Sequence, residues 1–176
     1  MALVLDGSTG IVSANIADGT ISANDLASGA ITSSALPAGS VLQVVTAQNP
    51  SGTTTSSATY VDVTGLAATI TPSASTNKII IRVIPKAYVS YNSERYPITY
   101  ARILRNGSDV YNKGYYNYAG RAPNGYVEMQ IDLNMEHFET AGTTSPLTYQ
   151  VQFKTDSPVG LSINSGSTIT LMEIAA

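Results

Sequence analysis

The chain has 176 residues, a formal charge of −3 and only 12% charged residues, with no Cys, no Trp and one His. The absent Cys excludes disulfides, thiol nucleophiles and Cys-built zinc or iron–sulfur sites, and the near-neutral balance gives no global pull toward nucleic acid or an anionic membrane. The opening MALVLDGSTG has no basic stretch and does not read as a signal peptide, and no apolar run nears the ~18 residues that span a bilayer.

Residues 1–39 form the first of two expected domains. Ile11, Ile16, Ile21, Leu26, Ile31 and Leu36 recur at a strict spacing of five, and Gly10, Gly19, Gly29 and Gly39 punctuate them. On a helix successive members would lie about 140° apart, and on a flat strand they would alternate faces. Keeping them on one side requires a bend per repeat, which the intervening Gly, Asn, Asp and Ser supply. Six aliphatics cannot offset an ordering cost of ~1–2 kcal/mol per residue over this length. A lone copy is therefore expected to be barely folded, whereas three copies wound about one axis would form a narrow core from these six positions. The alternative is a flexible Ser/Gly/Ala linker.

Residues 40–176, the second expected domain, read as antiparallel β throughout. Candidate strands in chain order are Val41–Thr46, Tyr60–Val63, Leu66–Thr71, Lys78–Val89, Ile98–Arg105 and Val110–Asn112, with a hairpin turn at Asn106-Gly107. Val127, Met129, Ile131, Leu133 and Met135 then alternate with Glu128, Gln130, Asp132, Asn134 and Glu136, which predicts one continuous strand with one wet face. Leu147, Tyr149, Val151 and Phe153 alternate likewise, and Ser167–Ile174 closes the set. Eight to ten strands imply a β-sandwich or jelly roll, which the pattern does not rank. The run Ile79–Ile84 is apolar on both faces except at Arg82. It fits either a central strand under a loop or a subunit contact, and the N-terminal repeat favours the contact.

No arrangement supports catalysis. His137, expected at a solvated strand end, has no nucleophile at a meaningful spacing. Glu136, His137 and Glu139 could bind a metal only if strand neighbours shared a face, which they do not. Glu128, Asp132 and Glu136 share a face, but four residues of strand span about 13 Å, beyond the ~9.5 Å limit for paired glycosidase carboxylates. No phosphate-cradling or dinucleotide glycine motif is present. The chain reads as a non-enzyme without cofactor or metal. Its composition shifts at 88–126, which holds nine of the eleven Tyr, while 78–121 holds eight of the nine bases. Tyr gives large contact area at low entropic cost. Tyr115, Tyr116, Tyr118 and Arg121, in the loop 112–125, are therefore the candidate contact surface; packing over the sandwich edge is the alternative.

Two resemblances follow from these stretches. Ala14-Asn15-Ile16 and Asn24-Asp25-Leu26 look like pentapeptide-repeat units, a family of square β-helices, over too few residues for two coils. LVLDGSTGI, ANIADGTISANDLASGAIT and LPAGSVLQVV resemble stalk-to-knob passages of bacteriophage fibre proteins, particularly of cyanophages. STITLMEIA at 167–175 resembles the last strand of their terminal knob. This resemblance implies an all-β protein, a short-repeat trimeric stalk followed by an antiparallel, jelly-roll-like β-sandwich knob. It implies a homotrimer made in the host cytoplasm and displayed on the virion surface, on the capsid exterior or the tail. Its partners would be its own copies and other virion proteins, the major capsid protein or a tail component. With about nine residues before the repeat for docking, a capsid decoration, cement or head-spike role is expected. A receptor-binding tail-fibre tip gripping a host surface glycan or protein is the alternative, and a secreted adhesin or lectin is a third.

Overall fold

Inward-pointing apolar residues at every second position build two facing sheets. The structure, a computed structural model, describes residues 20–28, 30–32, 35–91, 98–116, 127–156 and 159–176. Among the described residues ten strands follow one another: β1 (Val41–Gln48), β2 (Thr53–Thr55), β3 (Val61–Ile70), β4 (Lys78–Tyr91), β5 (Ile98–Arg105), β6 (Ser108–Tyr116), β7 (Val127–Ile131), β8 (Met135–Thr140), β9 (Leu147–Thr155) and β10 (Gly160–Ile174). One sheet runs β1-β10-β4-β7, with β2 added to β10 and β8 to β4; the other runs β3-β9-β5-β6. The pairings are antiparallel. With β1/β2 and β7/β8 each taken as one interrupted strand, this order of two four-stranded sheets is that of a jelly roll.

The chain divides into two units between Leu36 and Pro37. In the first, the described residues include a short 3-10 turn at Ala23–Asp25, where the Asp25 carboxylate accepts from Ser22 N and Oγ at 2.8 and 2.6 Å. In the second, Gly39 N donates to Ala175 O and Ala175 N to Ser40 O, which ties the entry of β1 to the end of β10. Ile79, Ile81 and Val83 of β4, Ile169 and Leu171 of β10, and Ile103, Val151 and Phe153 of the opposite sheet are buried between the layers. The void beneath Val63, Leu66, Met135 and Phe153 is about 10 Å³, at the lower limit for a single water, so it is no ligand cavity.

The structure corrects four strand expectations. β6 runs on to Tyr116 rather than ending at Asn112, so the start of the expected loop 112–125 is strand. The strand expected over 127–136 is two, broken at 132–134, although the alternation keeps its phase: Ile131, Leu133 and Met135 are buried while Glu128, Asp132 and Glu136 are exposed. Its cause lies on the neighbouring strand. Pro85 of β4 has no N–H to donate; β8 pairs with β4 up to Val83, and β7 pairs from Ala87. On its other side β10 is irregular between Asn164 and Thr168, where the Ser167 hydroxyl accepts from Lys86 N at 2.9 Å. Next, the two strands expected over 60–71 are one. A register shift between Asp62 and Ala67 contains Gly65 at φ +79°, close against Pro50. Finally, β10 begins at Gly160 rather than Ser167, because Leu161 and Ile163 are buried in the core.

Among the described residues one charged side chain is enclosed with the core. Glu173 is fully buried, two residues after Leu171 on the inner face of β10. Its carboxylate accepts from Gln43 Nε2 (2.5 Å), Asn77 Nδ2 (2.6 Å), Ser73 N (2.7 Å) and Ser73 Oγ (2.8 Å). Desolvation pushes its pKa up, but the bonds from Asn77, Gln43 and Ser73 outweigh that and hold it below the ordinary 4.5. The carboxylate thereby fastens the turn before β4 to the last strand.

Candidate functional site

Three sets of residues compete for a functional role. The first is the five-residue repeat. Ile21, Leu26, Ile31 and Leu36 are exposed by 56, 44, 57 and 38% in the single chain; Ile11 and Ile16 lie outside the described residues.

The second set is the Tyr-rich region. Tyr115 lies on β6, half-buried, with its ring against the core and its hydroxyl donating to Asn134 O at 2.8 Å. Lys113 Nζ sits 4.6 Å from its ring centroid, and burial drives its pKa strongly upward, so the hydroxyl remains a neutral donor. Tyr116 ends β6 opposite Ile98. Tyr118 and Arg121 lie outside the described residues.

The third set, which sequence reasoning missed, crosses the outer face of the β3-β9-β5-β6 sheet. Asp62, Gln152, Arg102 and Asn112 are aligned by register across all four strands. Gln152 Nε2 donates to Asp62 (2.6 Å), Arg102 Nε to Gln152 Oε1 (2.8 Å), and Arg102 Nη1 pairs with Asp109 at 3.3 Å. The Arg102 guanidinium lies 4.1 Å from the centroid of Tyr60, whose hydroxyl donates to Asn112 Oδ1 at 2.8 Å. Lys154 Nζ stands 4.8 Å from the rings of both Tyr60 and Tyr100. Gly114 leaves room for Tyr100, since a Cβ there would come within 3.1 Å of the ring. The result is a polar, aromatic platform braced by its own hydrogen bonds. Alternation in LTYQVQFKT and ITYARILR does place Gln152, Lys154, Tyr100 and Arg102 on wet faces, but their adjacency depends on pairing between distant strands.

His137 is corrected as well. It sits within β8 rather than at a strand end, facing inward beside Tyr111, with ring centroids 5.9 Å apart. Glu139 shares its face at 4.0 Å and is already engaged by Arg105 Nη1 (3.2 Å) and the Tyr149 hydroxyl (2.5 Å). That cluster ties β5, β8 and β9 together. Among the described residues no group of three His, Asp or Glu is placed to hold a metal ion, and no helix is long and apolar enough to cross a membrane.

Compared with known proteins, the chain matches no family model and no curated protein sequence. Among solved structures it is similar to infectious bursal disease virus Gt strain, at 12% identity and a TM-score of 0.35, covering 76% of this chain and 38% of that one. It is also similar to T=1 particles derived from infectious bursal virus (12%, TM-score 0.39, 76% and 36% covered). A VP2 subviral particle of infectious bursal disease virus gives 13%, a TM-score of 0.35, and 76% and 40% covered. The chain thus spans about two fifths or less of the length of the structures it matches. At these scores the likeness carries no weight for fold or function.

Proposed function

We propose that the chain is a non-enzymatic structural protein of a virus particle, a homotrimer held by its N-terminal repeat and displaying the jelly-roll knob outward. The observation that carries this reading is the row Ile21, Leu26, Ile31 and Leu36, each substantially exposed in the single chain. An aliphatic at each fifth place costs hydration unless sibling chains cover it. The fibre-like passages at 3–11, 14–32 and 36–45 supply the phage context, and jelly rolls serve both capsids and lectins without catalysis. Within that context the best placement is a capsid decoration, cement or head-spike protein whose N-terminal segment docks on another virion protein. The platform of Tyr60, Tyr100, Arg102 and Lys154 favours a second reading, a fibre tip whose aromatic and cationic face recognises a host surface glycan or protein.

Sedimentation equilibrium of the full chain tests the first part, with three times the 18.4 kDa chain mass expected; a folded monomer at micromolar concentration sinks it. Copy number per purified particle separates the placements: hundreds indicate the capsid, a few dozen or fewer the tail.

A further inference from the structure

The outer face of the β1-β10-β4-β8 part of the larger sheet is left uncovered in an unusual way. Register places Val44, Met172, Ile80 and Phe138 in one row across four strands. At about 4.8 Å per strand the row is about 14 Å long. Its ends are the most open, Val44 at 56% and Phe138 at 60% exposed, with Met172 and Ile80 half-buried between them. Val41 (53%) stands beside Ile174 one row away, and Ile84 (43%) lies on the same face of β4. This is the wet side of the Ile79–Ile84 run.

We infer that this face is the contact between knobs of the same oligomer, its occupant being a second copy of this chain. The inference rests on the oligomeric reading proposed above and adds to it where the knobs meet. Three observations point to a sibling copy. First, the period of five does not stop at Leu36. Its next member is Val41, the first residue of β1 and one corner of this face. The Gly39 and Ala175 backbone bonds, both 2.9 Å, fix that corner next to β10. Five residues reach at most about 18 Å, so copies joined at Leu36 bring their Val41 corners near one another.

Second, the size fits a supplementary contact. Val41, Val44 and Phe138, with Ile84 left out because the Arg82 row separates it, leave on the order of 300 Å² open, enough to mark an interaction patch but below the ~800 Å² per partner of a stable independent interface. A contact of that size is sufficient between bodies already tethered, because the tether raises their effective concentration to the millimolar range. Third, the next row is mixed in sign. Arg82 on β4 stands opposite Glu136 on β8, with Thr170 and Thr46 completing it. A face carrying both charges can complement a copy of itself; a strongly acidic or basic partner would meet repulsion from one of them.

Sedimentation equilibrium of full-length Val44→Glu and Phe138→Glu tests the assignment, each separately. Thr64→Glu, exposed on the opposite sheet, serves as control and Ile31→Asp as probe of the repeat. Each face variant is expected to raise the concentration of half-dissociation at least tenfold with an unchanged far-UV circular dichroism spectrum, while Thr64→Glu does not. If Ile31→Asp dissociates the oligomer and neither face variant alters it, the assignment is overturned and the repeat-held oligomer stands. If the wild-type chain is monomeric throughout, both fall. If the face variants lose particle attachment with the oligomer intact, another virion protein occupies the face, which also overturns the assignment. Val44→Glu alone decides the matter should Phe138→Glu not fold.

Discussion

Exchanging Glu173 for Gln isolates what one buried carboxylate contributes to the knob. Four donors converge on it from Gln43, Ser73 and Asn77, and hydrogen bonds to a charged group contribute about 1.5–3 kcal/mol each. Three of these donors, from Ser73 and Asn77, converge on Oε1 and only Gln43 reaches Oε2, so a Gln that keeps its oxygen at the Oε1 position loses one bond and weakens three. Allowing for relaxation among neighbours, Glu173→Gln is expected to cost about 3 kcal/mol at neutral pH. At a few degrees per kcal/mol this lowers the melting temperature by roughly 10 °C. The folded pKa lies below the unfolded one, so the unfolded chain binds more protons in the acid range. The stabilisation is therefore complete above the ordinary value of 4.5 and is lost as pH falls through the lower, folded value. Urea midpoints of wild type and variant should differ clearly at pH 7 and converge as the pH falls below 4.5 through the lower, folded value. Equal stability at neutral pH, or a gap that does not narrow in acid, would refute the reasoning.

Other substitutions address other parts of the molecule. Gly65→Ala forces a methyl to within 2.5 Å of Pro50 Cδ at φ +79° and should cost about 2–3 kcal/mol in a urea melt. Tyr115→Ala removes a half-buried ring and its bond to Asn134 and should destabilise by about 1–3 kcal/mol in a urea melt. Arg102→Ala breaks the platform at its centre and should cost about 1–2 kcal/mol, with binding to host cell surfaces falling more than stability if that face is a receptor site. Removing residues 1–36 should leave a folded jelly roll by circular dichroism and abolish particle attachment; retained attachment removes the docking role.

The strands were legible wherever one face is wet and one dry, since burial imposes a period of two on the residues themselves. Leu147, Tyr149, Val151 and Phe153 are read inward by this logic and are buried. Strand ends were legible only where the cause is local, as at Asn106-Gly107, which turns between β5 and β6 with both φ angles positive. The break at 132–134 is not written in its own segment, because Pro85 on the neighbouring strand produces it. The same limit hid the Tyr60–Arg102–Lys154 platform, whose members come from the approach to β3, from β5 and from β9. Glu173 did carry a signal: the alternation Ile169, Leu171, Glu173 puts a carboxylate on an apolar face. The turn at 73–77 and Gln43 of β1 explain how it is accommodated.

The interruption opposite Pro85 has a further effect on the rims of the larger sheet. Its two long strands, β4 and β10, lie inside, and each rim is made of two short pieces, β1 with β2 on one side and β7 with β8 on the other. A rim broken this way offers a stray chain no long, straight ladder to extend. Chains meeting along these two rims at high concentration are thereby kept from zipping together through their backbones, leaving side chains to choose which neighbours those rims accept.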